Sequence, residues 1–220
     1  MNRPRARSVA SKQGYHHQHL RRALLDAAIN HLTKGEVTTL TIQVLARAAE
    51  VSPGAPYHHF ADKLELLAAL ATEGWEHWSA LATAALAEVD GPRAQLLALA
   101  RQWLAFAAAH PAYYRVMLLP DLGDRVRFAA MHAASGKTLT MLTEVIARGV
   151  PRESADEVLG RAVVAFSTLH GFAVLRSAGV LGNIPSLPGL AELEESTAKL
   201  TALTVLGPAT TKKKLAPRGR

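Results

Sequence analysis

The chain has no cysteine among its 220 residues. That excludes a disulfide scaffold, a thiolate metal site and a cysteine nucleophile. Aromatic residues make up only 5% against 49% hydrophobic, an alanine-rich balance that suits helix packing. Neither an alternating strand pattern nor an internal repeat is present, so the expected fold is all-α, with about nine helices. No apolar run is long enough to span a bilayer: the longest uncharged stretches, such as residues 162–175, read as buried helix. The basic opening MNRPRARSVASKQG is followed by no apolar segment of the kind a signal peptide needs. The expectation is a soluble, cytoplasmic protein with no membrane partner.

Catalytic signals are equally sparse. Ser135-Gly-Lys-Thr138 matches the end of a phosphate-binding loop, but the earlier glycine would fall at Met131 and no strand precedes it. There is no nucleophile elbow and no recognisable carboxylate pair. His16, His17 and His19 form an incomplete ligand set. No catalytic residue, cofactor or metal is expected, and an enzyme is the weakest of the functional classes.

The charge is strongly uneven. Residues 1–63 hold nine Lys/Arg against four Asp/Glu; residues 64–206 hold eleven against fourteen; residues 207–220 hold five against none. Both ends are therefore basic and the middle is acidic, which makes a polyanion the natural partner of the N-terminal part.

Helix signals divide the chain. An amphipathic helix places Leu20, Leu24, Ala28 and Leu32 on one stripe and stops at Gly35. A second helix begins after Thr41, its N-cap, and runs to Ala49. Ser52-Pro53 then restarts the chain, serine as cap and proline at the first helical position, for a two-turn helix to about His59. Pro56 removes a donor inside it, so an opened or 3₁₀-like first turn is expected. A long helix follows from about 63 to 89, and Asp90-Gly91-Pro92 breaks it. Further helices are expected at 93–109, 112–119, 122–148, 153–178 and 189–206.

Two short helices joined by a turn, with no acid from Val51 through Ala61, form what a major groove accepts. Behind the Ser52 cap, base edges fall to the start of the short helix: Pro53, Gly54, Ala55 and Tyr57, with His58. Tyr57, His59 and Lys63, with Thr41 at a helix N-terminus, suit phosphate oxygens. His19 and Arg21 crowd the start of the first helix, where cations oppose the macrodipole, and they gain from DNA phosphate. Phe60 reads as core.

The series from the first helix through VSPGAPYHHF to Asp62-Lys63-Leu64-Glu65-Leu66-Leu67 resembles the DNA-binding domain of the TetR family of one-component regulators. The resemblance covers residues 15–67. The family usually has glycine where this chain has Glu50; if that backbone is left-handed, glutamate is strained there by roughly 1 kcal/mol. A second resemblance, to the C-terminal domain of the family's Trp-His-Gly type, rests on Trp103-Leu-Ala-Phe106, His110-Pro-Ala-Tyr113-Tyr-Arg-Val-Met117 and Phe166-Ser-Thr-Leu-His170-Gly171, with Phe166 at the tryptophan position. It implies a ligand cavity and dimerisation through the last two long helices. Trp103, Phe106, Tyr113, Met117, Phe128, Met131, Met141, Phe166 and His170 are the candidate cavity residues, large and adaptable with few polar groups. Leu159, Val163, Phe166, Leu169 and Leu175, with Leu190, Leu193, Ala198, Leu200 and Leu203, are the candidate dimer face.

The expected organisation is a disordered basic arm (1–14), a helix-turn-helix domain (15–62), a helical effector-binding and dimerisation domain (63–206) and a disordered basic tail (207–220). The expected function is a ligand-responsive regulator, a repressor by the family's habit. It would bind a palindromic operator in double-stranded DNA as a homodimer and be released by a small, largely apolar effector. A sequence-nonspecific DNA-coating protein remains the alternative.

Overall fold

The computed structural model describes residues 9–208. Among them are eight α-helices: α1 (Val9–Lys34), α2 (Ile42–Ala48), α3 (Lys63–Ala87), α4 (Pro92–Ala109), α5 (Pro111–Met117), α6 (Ala129–Gly149), α7 (Ala155–Ser177) and α8 (Leu190–Leu206). Short 3₁₀ segments lie at Val37–Thr39, Ala55–His58, Pro120–Leu122 and Leu181–Asn183. No strand is found among the described residues, and the fold is all-α.

The breaks follow the chain's punctuation. Gly91 turns the chain at φ 82° before Pro92, and Pro111 sits at the first position of α5. Ser154 caps α7 in a full capping box: its hydroxyl accepts from the Glu157 N–H, and the Glu157 carboxylate accepts from the Ser154 N–H. α1 extends back to Val9, so only residues 1–8 of the expected arm lie outside the described residues; the tail from residue 209 lies outside them too.

Three expectations change. The segment 53–59 is not an α-helix. Ala55 N–H donates to Ser52 O and Tyr57 N–H to Gly54 O, i→i−3 bonds forming a 3₁₀ segment around the donorless Pro56. Its cap position is Gly54, with no side-chain cap from Ser52. Second, α6 starts at Ala129 instead of 122. Asp124 Oδ1 accepts from the N–H groups of both Val126 and Arg127, so its side chain takes over donors and holds a turn before the helix. Third, α7 is not a buried helix. It buries Val158, Ala162, Ala165, Leu169 and Ala173 on one stripe, but Leu159, Val163, Val164, Phe166, Val174 and Leu175 stay exposed. By length and composition it could cross a membrane, and only 28% of its most apolar window is buried.

The chain forms two compact units. One contains residues up to His77 together with Ala109–Gly136; the other contains Trp78–Ala108 and the chain from Lys137. The first unit has a core of Leu24, Leu25, Ala28 and Leu32 from α1, Leu40, Leu45 and Phe60 around α2, and Leu66, Leu67 and Leu70 from α3, all buried. α5 is tied to α1 there: Arg115 donates to the carbonyls of Leu32 and Gly35, which the end of α1 leaves unbonded. Arg22 on α1 binds both carboxylate oxygens of Glu73 on α3 at 2.9–3.0 Å, and the Tyr113 hydroxyl of α5 donates to the same group at 3.2 Å. In the second unit α7 packs along α8, and Arg161 joins Glu153 to the Val205 carbonyl near the end of α8.

Candidate DNA-binding site

α2 is held at both ends by local chemistry. Thr41 is extended at φ −131° and its hydroxyl accepts the Val44 N–H at 3.2 Å, the N-cap expected of it. At the other end the Glu50 N–H donates to Arg47 O and the Val51 N–H to Ala46 O. These two bonds, with φ +55° at Glu50, are a Schellman motif with glutamate at the position glycine normally fills. α7 ends the same way: Gly179 N–H donates to Arg176 O and Val180 N–H to Leu175 O, and Gly179 has φ +70°. The chain thus closes two helices with one motif, once with glycine and once with glutamate.

The turn delivers the 3₁₀ segment with Pro56 and Phe60 buried beneath it. Ser52, Pro53, Gly54, Tyr57 and His58 face solvent, and Ala55 and His59 are half-buried. Tyr57 is 53% exposed, a large ring left outside a unit whose other aromatics are mostly covered. Gly54 has open space where a Cβ would be, so nothing crowds its outer side. Thr41 is exposed as well, so the cap of α2 and the 3₁₀ segment both offer solvent-facing polar groups. His19 and Arg21 are exposed on α1, and the Arg21 guanidinium lies 5.3 Å from the centre of the Phe60 ring. Lys63, half-buried, donates its ammonium to the Val37 carbonyl at 2.5 Å. It therefore joins the start of α3 to the linker before α2.

The candidate effector residues fall into two groups. In the second unit Trp103 meets Phe166 edge to face at 5.6 Å, and Phe166 stacks on His170 at 5.6 Å with the rings parallel. Sequence reasoning missed Trp78, which meets Trp103 at 5.4 Å and whose buried indole N–H has no hydrogen-bond partner. Burial holds the His170 imidazole below its usual range. Phe106 is core and Met141 half-buried in the same unit. Tyr113, Met117, Phe128 and Met131 belong to the first unit. There Met117 packs on Gly74, and Phe128 and Met131 line an open groove of about 440 Å³ with Arg21, Phe60, Glu73 and Arg127. Five of the nine thus lie in the second unit and four in the first.

A capped short helix, a tight turn, an exposed reading segment and an all-α body define a helix-turn-helix transcription regulator. The model of the tetR family of bacterial regulatory proteins matches residues 24–70, and that of the tetracyclin repressor-like C-terminal domain matches residues 96–198. The chain belongs to the TetR family of DNA-binding regulators. The Trp-His-Gly subgroup is a finer distinction that these matches do not supply. A Rhodococcus sp. RHA1 protein of unknown function is 30% identical, with 93% of this chain and 97% of that one covered and a TM-score of 0.64. At the level of fold, the chain is similar to the TetR-family transcriptional regulator PfmR from Thermus thermophilus (21% identity, 83% and 96% covered, TM-score 0.62). It is also similar to a TetR-family regulator from Bordetella parapertussis (17% identity, 86% and 94% covered, TM-score 0.64). No curated protein matches the chain.

Proposed function

We propose that this protein is a homodimeric, ligand-responsive repressor that reads a palindromic operator. The observation that carries the DNA-reading part is the exposed, acid-free segment Ser52–His59, fixed between the Schellman turn and buried Phe60. Gly54 and Ala55 let the backbone approach base edges, and Pro53, Tyr57 and His58 stand beside them. Thr41, His19 and Arg21 supply phosphate contacts, and Tyr57 and His59 flank them. Lys63 has a second role in this reading: its ammonium, shared with the Val37 carbonyl, also sets the spacing of α2 and α3.

Dimerisation uses the apolar face that α7 and α8 leave uncovered. Val163, Phe166 and Leu175 with Leu190, Leu200 and Leu203 are exposed on these helices, whereas Leu169 and Ala198 are spent inside the chain. A second copy covers that face in an isologous contact, as an apolar patch of this extent requires in a protein working in the cytoplasm. Two copies then present two reading segments to two half-sites.

The effector binds at Trp103, Phe166 and His170, with Trp78 beside them. An apolar molecule carrying a hydrogen-bond acceptor fits a site with a buried, unanswered indole N–H. Occupancy shifts the population towards a state that no longer matches half-site spacing, and DNA affinity falls. α3 begins beside the reading segment and carries the chain into the second unit, so it is the lever.

The test is selection of bound sequences from random duplex DNA by the purified full-length protein. Enrichment of a palindrome supports the reading. Absence of enrichment, with binding that only fades as salt rises, makes the protein a nonspecific DNA coat.

A further inference from the structure

Asp62 is the first acid after Glu50 in the chain and stands directly before Lys63. Its two oxygens have separate partners. Oδ1 accepts the Glu65 N–H at 3.0 Å and so caps α3, while Oδ2 pairs with the guanidinium of Arg127. Arg127 lies far along the chain, within the span matched by the C-terminal family model, yet in the same compact unit as Asp62. Its position is fixed from three sides. Its N–H is held by Asp124 at 2.9 Å, its guanidinium lies 4.9 Å from the centre of the buried Phe128 ring, and Asp62 takes its outer nitrogen. Such a held guanidinium forgoes the side-chain freedom that makes most surface pairs ineffective.

We propose that Arg127 is part of the DNA-binding machinery, as a positioning residue that acts through Asp62. It neutralises the one carboxylate of the stretch Val51–Lys63, which would otherwise face DNA phosphate uncompensated. The turn at 123–128 thereby sets the charge of the DNA-facing stretch, and any shift that lifts Arg127 from Asp62 lowers DNA affinity without touching a base-reading residue. Repulsion between an exposed carboxylate and phosphates within a Debye length is modest and salt-dependent. This inference rests on the reading of Tyr57–Lys63 as DNA-facing.

The experiment is a double-mutant cycle on the full chain, read by fluorescence anisotropy with a short random-sequence duplex and with any duplex enriched by selection. Arg127→Ala should weaken binding about 2- to 10-fold at low salt, less as salt rises. Asp62→Asn should bind at least as tightly as the wild type, since asparagine keeps the α3 cap and frees Arg127. The double variant Asp62→Asn/Arg127→Ala should recover wild-type affinity, which a merely structural role for Arg127 cannot explain. Arg127→Gln serves in the same cycle if the alanine variant unfolds. Unchanged affinity in Arg127→Ala, or a double variant no better than the single, overturns the proposal. Tyr57→Ala keeps the two readings apart. If it weakens binding while Arg127→Ala does not, only the role of Arg127 falls; if the wild-type protein binds neither duplex, the DNA-binding reading itself falls.

Discussion

Replacing Glu50 by glycine should stabilise the protein. Glu50 occupies the left-handed position of the Schellman motif at the end of α2, with φ +55°. A side chain in that backbone region costs about 1 kcal/mol or slightly more. Against this, glycine gives the unfolded chain extra freedom worth roughly 0.5–1 kcal/mol. The two do not fully cancel, because glutamate is both strained here and exposed, with little packing to lose. The net gain is then about 0.5 kcal/mol, or about 1–2 °C in Tm for a chain of this size. Gly179 supplies the mirror experiment inside the same molecule. It holds the same motif at φ +70°, and a Cβ there would meet nothing within 4 Å. Gly179→Ala should therefore lose about 0.5 kcal/mol, the same strain less the same unfolded-state offset. The assay is thermal and urea denaturation followed by circular dichroism, at one fixed protein concentration so that association does not confuse the comparison. Glu50→Ala is the control, since it removes the charge but keeps the Cβ. If Glu50→Ala stabilises as much as Glu50→Gly, the charge and not the backbone was responsible, and the strain argument fails.

Other expectations follow from the same structure. Tyr57→Ala should weaken binding to all duplexes alike if the hydroxyl meets phosphate, and by about 1–3 kcal/mol on the selected operator alone if the ring reads a base; unchanged titrations would remove Tyr57 from the site. Burial lowers the pKa of His110, with His77 at 4.6 Å adding repulsion, and burial lowers that of His170. Both imidazoles then take up protons more readily when unfolded. Stability should be full above the unfolded value of about 6.5 and fall as pH drops from there towards the lower folded values. Urea midpoints across that range check this, and His77→Asn should reduce but not abolish the part due to His110, because burial is its larger cause. A Cβ on Gly74 would lie 2.7 Å from Met117 Sδ and 3.2 Å from Tyr113 Cβ. Gly74→Ala should cost about 1–3 kcal/mol by overpacking, offset in part by the helix preference of alanine, and denaturation midpoints would show it. Leu203→Glu on the uncovered α8 face should yield monomers in sedimentation; a persistent dimer would move the interface elsewhere.

Much of the fold is legible in local chemistry. Thr41, Gly35, Gly91-Pro92 and His110-Pro111 each act within a turn or two of themselves, so helix ends near them can be read directly. The left-handed turn at Glu50 is also local, and the expected strain has its φ value. What is not legible depends on partners distant in the chain. Arg115 capping α1 and Arg127 on Asp62 join residues 80 and 65 positions apart, and nothing in their own neighbourhoods marks them. At 123–128 Gly123-Asp124 does mark a helix start, but the start is delayed to Ala129 because the Asp124 side chain takes the Val126 and Arg127 N–H groups. On α7 an apolar residue reads the same whether it faces the core or the surface, so Val163 and Leu169 could not be told apart. The same holds for the candidate effector residues: Trp103, Phe166 and His170 meet through ring contacts between helices far apart in the chain.

Sequence reading by the stretch from Thr41 to Lys63 is the core of the proposed function. The direct measurement is the affinity of the full-length protein for its selection-enriched duplex and for a scrambled duplex of equal length, each titrated across a range of salt. Both affinities should fall with salt at similar slopes, while the enriched duplex stays tighter by about 10³-fold or more. Equal affinity for the two duplexes at every salt concentration would contradict that function.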